Sequence, residues 1–191
     1  MKLLKDIAEI RSGFPFRERP VRVETGGCRL VQMRDVDRSI GVINGDLDTV
    51  EEPANWQKQR LQRWDILFAA RGQKNHAAVF VLDVPNAIAA STLHVLRVDE
   101  ESVDPFYIVW YLNLQQTKER LRTMQAGSSI PFISIQDFGQ LPIQVPSLEV
   151  QQQIVELVTL GQEEQALMEL LRRKRLALVE GAIRTLLNKS Q

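Results

Sequence analysis

Arg71-Gly-Gln-Lys-Asn-His76 is polar at every position but its glycine. Arg71 and Lys74 are cations, and Gln73, Asn75 and His76 both donate and accept hydrogen bonds. That set suits reading rather than reacting. Arginine and lysine bond guanine in the DNA major groove, and asparagine and glutamine bond adenine. The run lies in an acid-poor window: from Pro53 to Leu82 the only acid is Asp65, against Lys58, Arg60, Arg63, Arg71 and Lys74. Arg17, Arg19, Arg34, Ser128 and Ser129 form a second group suited to positioning a phosphate backbone. Arginines outnumber lysines 17 to 7, and only arginine offers a planar fork for phosphate or guanine.

Signals for catalysis are missing from the same sequence. His76 and His94 are far apart, no HExxH or clustered carboxylate spacing offers a metal site, and no cofactor motif occurs. Ser12-Gly13 and Gly26-Gly27 lack the Lys-Ser/Thr partner of a phosphate loop, and there is no Gly-x-Ser-x-Gly elbow. Neither a Glu-x-Lys magnesium motif nor an Asn-Pro-Pro-Tyr adenine pocket is present. The expectation is a non-catalytic binding protein.

Composition narrows the setting. Lys plus Arg and Asp plus Glu both number 24, so the net charge is zero. Taken alone, that argues against nucleic acid; the uneven distribution argues for it. With 44% apolar residues in 191, one domain plus an appendage can bury a core. The single Cys28 excludes an internal disulfide and fits a reducing, cytoplasmic setting. No apolar run approaches the ~20 residues of a membrane helix, and the charged N-terminus has no signal core.

The elements that must position the polar run read as α/β (α+β), with a twisted mixed sheet. Leu3 to Ile10 has the spacing of a short amphipathic helix ended by Ser12-Gly13. Strands are expected at 29–34, 40–43 (closed by Asn44-Gly45), 66–68, 77–82, 87–90, 92–98, 130–135 and 141–145. Asp104-Pro105 starts a helix expected to continue to Leu121. Ser134 is placed to cap a helical turn from Ile135 to Gly139.

After Pro146 the rhythm becomes helical to the end, which sets domain limits at 1–146 and 147–191. The tail's stripe includes Ile154, Leu157, Gly161, Met168, Leu171, Leu178 and Ala182, close to heptad spacing, with small or polar gaps at Gly161, Glu164 and Arg175. At ~1.5 Å per residue it would span roughly 60 Å, against roughly 30 Å for the preceding domain. Either the stripe meets another chain or the tail folds back at Gly161.

Four segments resemble the target-recognition domain of type I restriction-modification specificity (S) subunits. They are Leu4-Lys-Asp-Ile-Ala-Glu-Ile-Arg-Ser-Gly-Phe-Pro-Phe, continuing to Val31-Gln-Met-Arg-Asp-Val36; Trp64-Asp-Ile-Leu-Phe-Ala-Ala-Arg-Gly72; Phe106-Tyr-Ile-Val-Trp-Tyr-Leu112; and Gly127 to Ile154, with its Pro-Phe-Ile-Ser and Leu-Pro-Ile-Gln-Val-Pro-Ser-Leu-Glu. Trp64 stands where the family usually has glycine, and Val150-Gln151 where it usually has Glu-Gln. A typical S subunit carries two recognition domains and two long, antiparallel helices, so this chain resembles a half subunit. The resemblance implies double-stranded DNA, methyltransferase (modification) subunits and a restriction subunit as partners. It also implies a homodimer through the tail, each copy reading one half-site for a DNA adenine methyltransferase. A second class stays open, a non-catalytic adaptor that assembles a complex through its helix with DNA reading lost.

Overall fold

The computed structural model describes residues 1–36, 41–43, 45–72, 74–124 and 131–189. Contacts divide the chain into Met1–Gln152 and Gln153–Gln191. The first unit is mixed α+β, and the second is helical.

Three sheets make up the first unit. Strands β2 (Ala8–Ser12), β4 (Val42–Ile43), β6 (Ile66–Ala69), β7 (Ala77–Phe80) and β9 (Leu93–Val98) form a five-stranded sheet in the order β2-β9-β6-β7-β4. Its pairs are antiparallel except β4 with β7. Strands β3 (Cys28–Val31), β5 (Asp48–Val50) and β8 (Ala87–Ala89) form a second sheet, and β1 (Lys2–Leu3) pairs with β10 (Pro142–Ile143). Strands β6 and β7 are buried at every residue. A strand covered on both faces needs a continuous apolar run rather than alternation, and Ile66-Leu-Phe-Ala69 supplies one. Leu67, Ala69, Ala78, Phe80, Leu93 and Val95 join Val31, Ala87 and Ala89 in one cluster. Phe68, on the opposite face, stacks on Phe138 with centroids 4.2 Å apart.

The expected N-terminal helix is not formed. The chain makes β1, a 3-10 turn at Leu4–Asp6, then β2, with Ile10 opposite Leu96. Eight residues are too few to sustain a helix alone, and the exposed edge of β9 supplies backbone partners. Gly13 serves a close approach: a Cβ there would lie 2.2 Å from the Ala90 carbonyl oxygen. The helix expected from Pro105 to Leu121 is two helices, α1 (Pro105–Asn113) and α2 (Gln115–Met124), with Leu114 extended between them at ψ 141°. Asn113 is diverted from helix continuation. Its amide accepts from the Ala77 N–H at 3.1 Å and donates to the Ala77 carbonyl at 2.8 Å, so α1 is tied to β7. Asp104 caps α1 by accepting from the Phe106 and Tyr107 N–H groups, and Ser134 caps α3 (Ile135–Gly139). Where a strand was expected at 130–135, the described residues show a single bridge, Phe132 with Arg71. Asn44, Ile40 and Ile130 lie outside the described residues.

Strand β6 is entered through an ionic lock. Asp65 is 1% exposed. Its carboxylate accepts from Arg97 at 2.7 and 2.8 Å and from the Gln62 N–H at 2.9 Å. Arg11 stands 3.8 Å away. Before it, Trp64 has φ 74°, in the left-handed region that glycine favours. A glycine would adopt that geometry without strain. Trp64 is held there by an edge contact with Phe106 and by the Arg63 guanidinium 4.3 Å from its ring.

Helix α4 (Leu148–Lys189) runs uninterrupted through Gly161, so the tail does not fold back there. Its first turn belongs to the first unit. Gln151, fully buried, accepts from the Asp104 N–H at 2.9 Å and donates to the Ser102 and Pro146 carbonyls. From Gln153 onward Leu157 is 70% and Leu178 73% exposed. Met168 and Leu171 are exposed, Ala182 and Gly161 likewise, and Ile154 is half-buried.

Candidate nucleic-acid interface

The polar run leaves β6 at Ala70 and returns as β7. Its two halves have different roles. Asn75 is 3% exposed, and its amide donates to the Ala69 carbonyl at 2.8 Å. The Ala69 N–H donates to the His76 carbonyl, and Lys118 of α2 donates to His76 Nδ1 at 3.2 Å. Burial, and then the neighbouring Arg122, push the Lys118 ammonium below its ordinary pKa. Asn75 and His76 therefore hold the loop's shape. Buried as it is, Asn75 cannot reach a base edge in this conformation. Arg71 and Lys74 are exposed. Gln73 lies outside the described residues.

Phe132, absent from the residues expected at the site, completes this end of the sheet. The Arg71 guanidinium lies 5.5 Å from its ring, and the Gly72 N–H (φ 83°) donates to the Pro131 carbonyl at 2.9 Å. Phe132 also meets His94, whose Nε2 donates to the Ile133 carbonyl at 2.8 Å. His94 is buried, and the loss of solvent pushes its pKa down despite that hydrogen bond. Phe132 carries no polar signal, so only its place in the Pro-Phe-Ile-Ser segment pointed to this region.

A second cationic region adjoins the first through Met33. Met33 lines a cavity of about 450 Å³ with Phe16, Arg19, Arg22, Gln32 and Arg34. Its methyl carbon is also 4.0 Å from where a Cβ on Gly72 would stand. Met33 thus links the cavity of Arg19 and Arg34 to the 71–76 loop at Gly72. Their charges are unequally available. Arg34 and Arg22 both bind Asp48, Arg22 at 2.9 Å. Desolvation works the other way, but those two guanidiniums hold the Asp48 carboxyl below its ordinary pKa. Arg22 and Asp48 were not foreseen; no local pattern links residues 26 positions apart. Arg17 is exposed and lines an adjoining cavity with Phe14, Glu51 and Glu52, which shares Phe16, Arg19 and Pro20 with the first. Ser128 and Ser129 lie outside the described residues. Among the described residues no cluster of three or more His, Cys, Asp or Glu could hold a metal ion.

Fold and site together define a mixed α+β domain with a long C-terminal helix and cationic loops at one end of a sheet. The chain belongs to the type I restriction modification DNA specificity domain family, which residues 1–169 match. Its fold is similar to that of the HsdS subunit from Thermoanaerobacter tengcongensis, with TM-score 0.64 and 19% identity over 86% of this chain and 37% of that one. It is similar also to a chain from a structure of the assembly and conformational transition of the type I R-M system, with TM-score 0.64 and 18% identity over 87% and 39%. The S subunit from M. genitalium gives TM-score 0.54 and 15% identity over 85% and 38%. This chain therefore spans under two fifths of the length of each. No curated protein matches the sequence. Among the described residues no helix is long and apolar enough to cross a membrane.

Proposed function

We propose that this chain is a sequence-reading specificity subunit without catalysis of its own. It directs a type I DNA adenine methyltransferase, together with a restriction subunit where one is present, to a double-stranded target. Each copy reads one half-site, and two copies pair through α4 in the manner of a full S subunit. The observation that carries the reading is the division of labour in the 71–76 loop. Asn75 and His76 are bound inward, which fixes the backbone, while Arg71 and Lys74 are left exposed. Cations beside residues already bound inward meet DNA at a lower ordering cost than cations on a mobile segment.

The test is the salt dependence of DNA binding by the complex with its modification subunits. Arg71→Ala with Lys74→Ala is expected to weaken binding and to flatten the slope of log K against log salt by about 1 to 2, as each lost phosphate contact removes nearly one unit. An unchanged slope removes this loop from the interface. The adaptor reading draws support from the zero net charge and from the pairing of Arg22 and Arg34 with Asp48. Selection from random DNA by the assembled complex separates the two, because an adaptor enriches no motif.

A further inference from the structure

Two features of α4 have no explanation within one chain. Gly161 and Gly181 sit inside a continuous helix, where glycine is destabilising relative to alanine, yet an added methyl at either would meet nothing within 4 Å. Glu164 and Arg175 occupy positions in the heptad stripe that otherwise hold Ile154, Leu157, Met168, Leu171, Leu178 and Ala182. Arg172 and Arg173 pair with Glu169 at 3.1 and 3.5 Å, but among the described residues no ion pair joins Glu164 or Arg175 to anything. Charges at seam positions are costly unless a partner meets them.

We propose that α4 pairs antiparallel with α4 of a second copy, in the register that puts the two-fold axis between Glu169 and Leu170. This rests on the antiparallel homodimer of the proposed function and adds its register. From Leu157 to Ala182 the seam residues then face counterparts that suit them. Met168 meets the partner's Leu171 at the centre. Glu164 meets the partner's Arg175, and by symmetry this ion pair forms twice. Gly161 lies under the partner's Leu178, and Ala182 under the partner's Leu157, small against large. On the flanks Val158 meets the partner's Val179, and Leu160 covers the partner's Gly181. Both glycines gain a reason, and both seam charges gain a partner.

The alternatives fail on the same residues. A parallel pair sets Glu164 on Glu164, Arg175 on Arg175 and Gly161 on Gly161, which gives two like-charge layers and a void. Sliding the antiparallel pair by one heptad either way faces Glu164 with Met168 or Ala182, and Arg175 with Leu157 or Leu171. Either shift leaves charges unpaired in an apolar seam.

The test uses the full chain, with dimerisation measured by analytical ultracentrifugation. Glu164→Arg alone and Arg175→Glu alone are each expected to weaken the dimer by roughly 100-fold, since each creates two like-charge layers in a desolvated seam. The double variant, which restores both pairs with their signs exchanged, is expected to recover to within about tenfold of the parent. Val158→Cys with Val179→Cys should form an interchain disulfide on oxidation, with the native Cys28 buried and silent. In a parallel pair those positions would stand roughly 30 Å apart. A dimer with neither rescue nor cross-link overturns the register and leaves the homodimer standing. A parent chain that is monomeric at tens of micromolar overturns both.

Discussion

The two ends of β6 handle charge in opposite ways. At the entry, Asp65 is shut away from solvent and answered by Arg97, Arg11 and a backbone N–H. At the exit, Arg71 and Lys74 reach into solvent, while the uncharged Asn75 and the ring of His76 make the inward bonds. One strand thus carries an ionic lock at one end and spare cations at the other. The difference teaches where to look for function on a neutral chain. Net charge says little; what matters is which charges the fold has already spent. By that measure Arg97, Arg11, Arg22 and Arg34 are committed to carboxylates, and Arg71, Lys74, Arg17 and Arg19 are candidates for a partner's phosphates.

Removing the lock should have the largest effect. Asp65→Ala leaves Arg97 and Arg11 facing a buried gap, and breaking one partner of a buried pair costs about 3 to 5 kcal/mol. Arg97 keeps a partly exposed side chain, which places the expectation near the lower bound. Urea unfolding measures it. A variant as stable as the parent would mean that the entry end is no lock and that the contrast between the ends is lost.

A change of pH acts on the exit end. Burial depresses the pKa of His94 from its ordinary 6.5. The folded state then refuses a proton that the unfolded state accepts. Stability from this group is complete above pH 6.5 and is lost as pH falls toward the depressed value. The melting temperature should therefore decline below pH 6.5, and His94→Gln, which keeps a donor for the Ile133 carbonyl, should shrink that decline. An identical decline in the variant assigns the acid sensitivity elsewhere.

Trp64 offers a smaller and more unusual contrast. Glycine in place of tryptophan loses the contact with Phe106 but relieves φ 74°. Alanine loses the contact and keeps the strain. Trp64→Gly should therefore be more stable than Trp64→Ala by about 1 kcal/mol, the cost of left-handed backbone for a residue with a Cβ. Ordinary preference runs the other way. Equilibrium denaturation of the two variants decides it, and an alanine variant equal to glycine shows that the backbone there relaxes freely.

What the sequence made legible was local. Asp104-Pro105, Ser134 and the uninterrupted tail each carry their own start or stop signals, and the Ile66-Leu-Phe68 run is buried as such runs are. What stayed hidden needed a partner distant in sequence. The N-terminal segment became a strand because β9 offered an edge. The helix broke at Leu114 because Asn113 bonds β7. Phe132 reached Arg71 across 60 intervening residues. The amide of Asn75 suits it to adenine, and only the fold shows that amide turned to Ala69.

The smallest expected effect on stability is also the most discriminating for function. Arg71→Ala with Lys74→Ala should cost no more than about 1 kcal/mol, the worth of an exposed cation–π contact, while DNA affinity falls. Separating stability from binding in this way is the converse of Asp65→Ala, where stability falls and binding should suffer only as far as the folded population does. Arg71→Lys then asks what the exit cation reads. Lysine keeps the charge and loses the planar fork. If Arg71 only neutralises phosphate, affinity and motif both survive the exchange. If it bonds one guanine through two parallel hydrogen bonds, discrimination at one position of the half-site should fall by about 1 to 3 kcal/mol, with the rest of the motif intact. Selection from random DNA reads out that single position, and a motif unchanged in Arg71→Lys would confine this residue to the backbone.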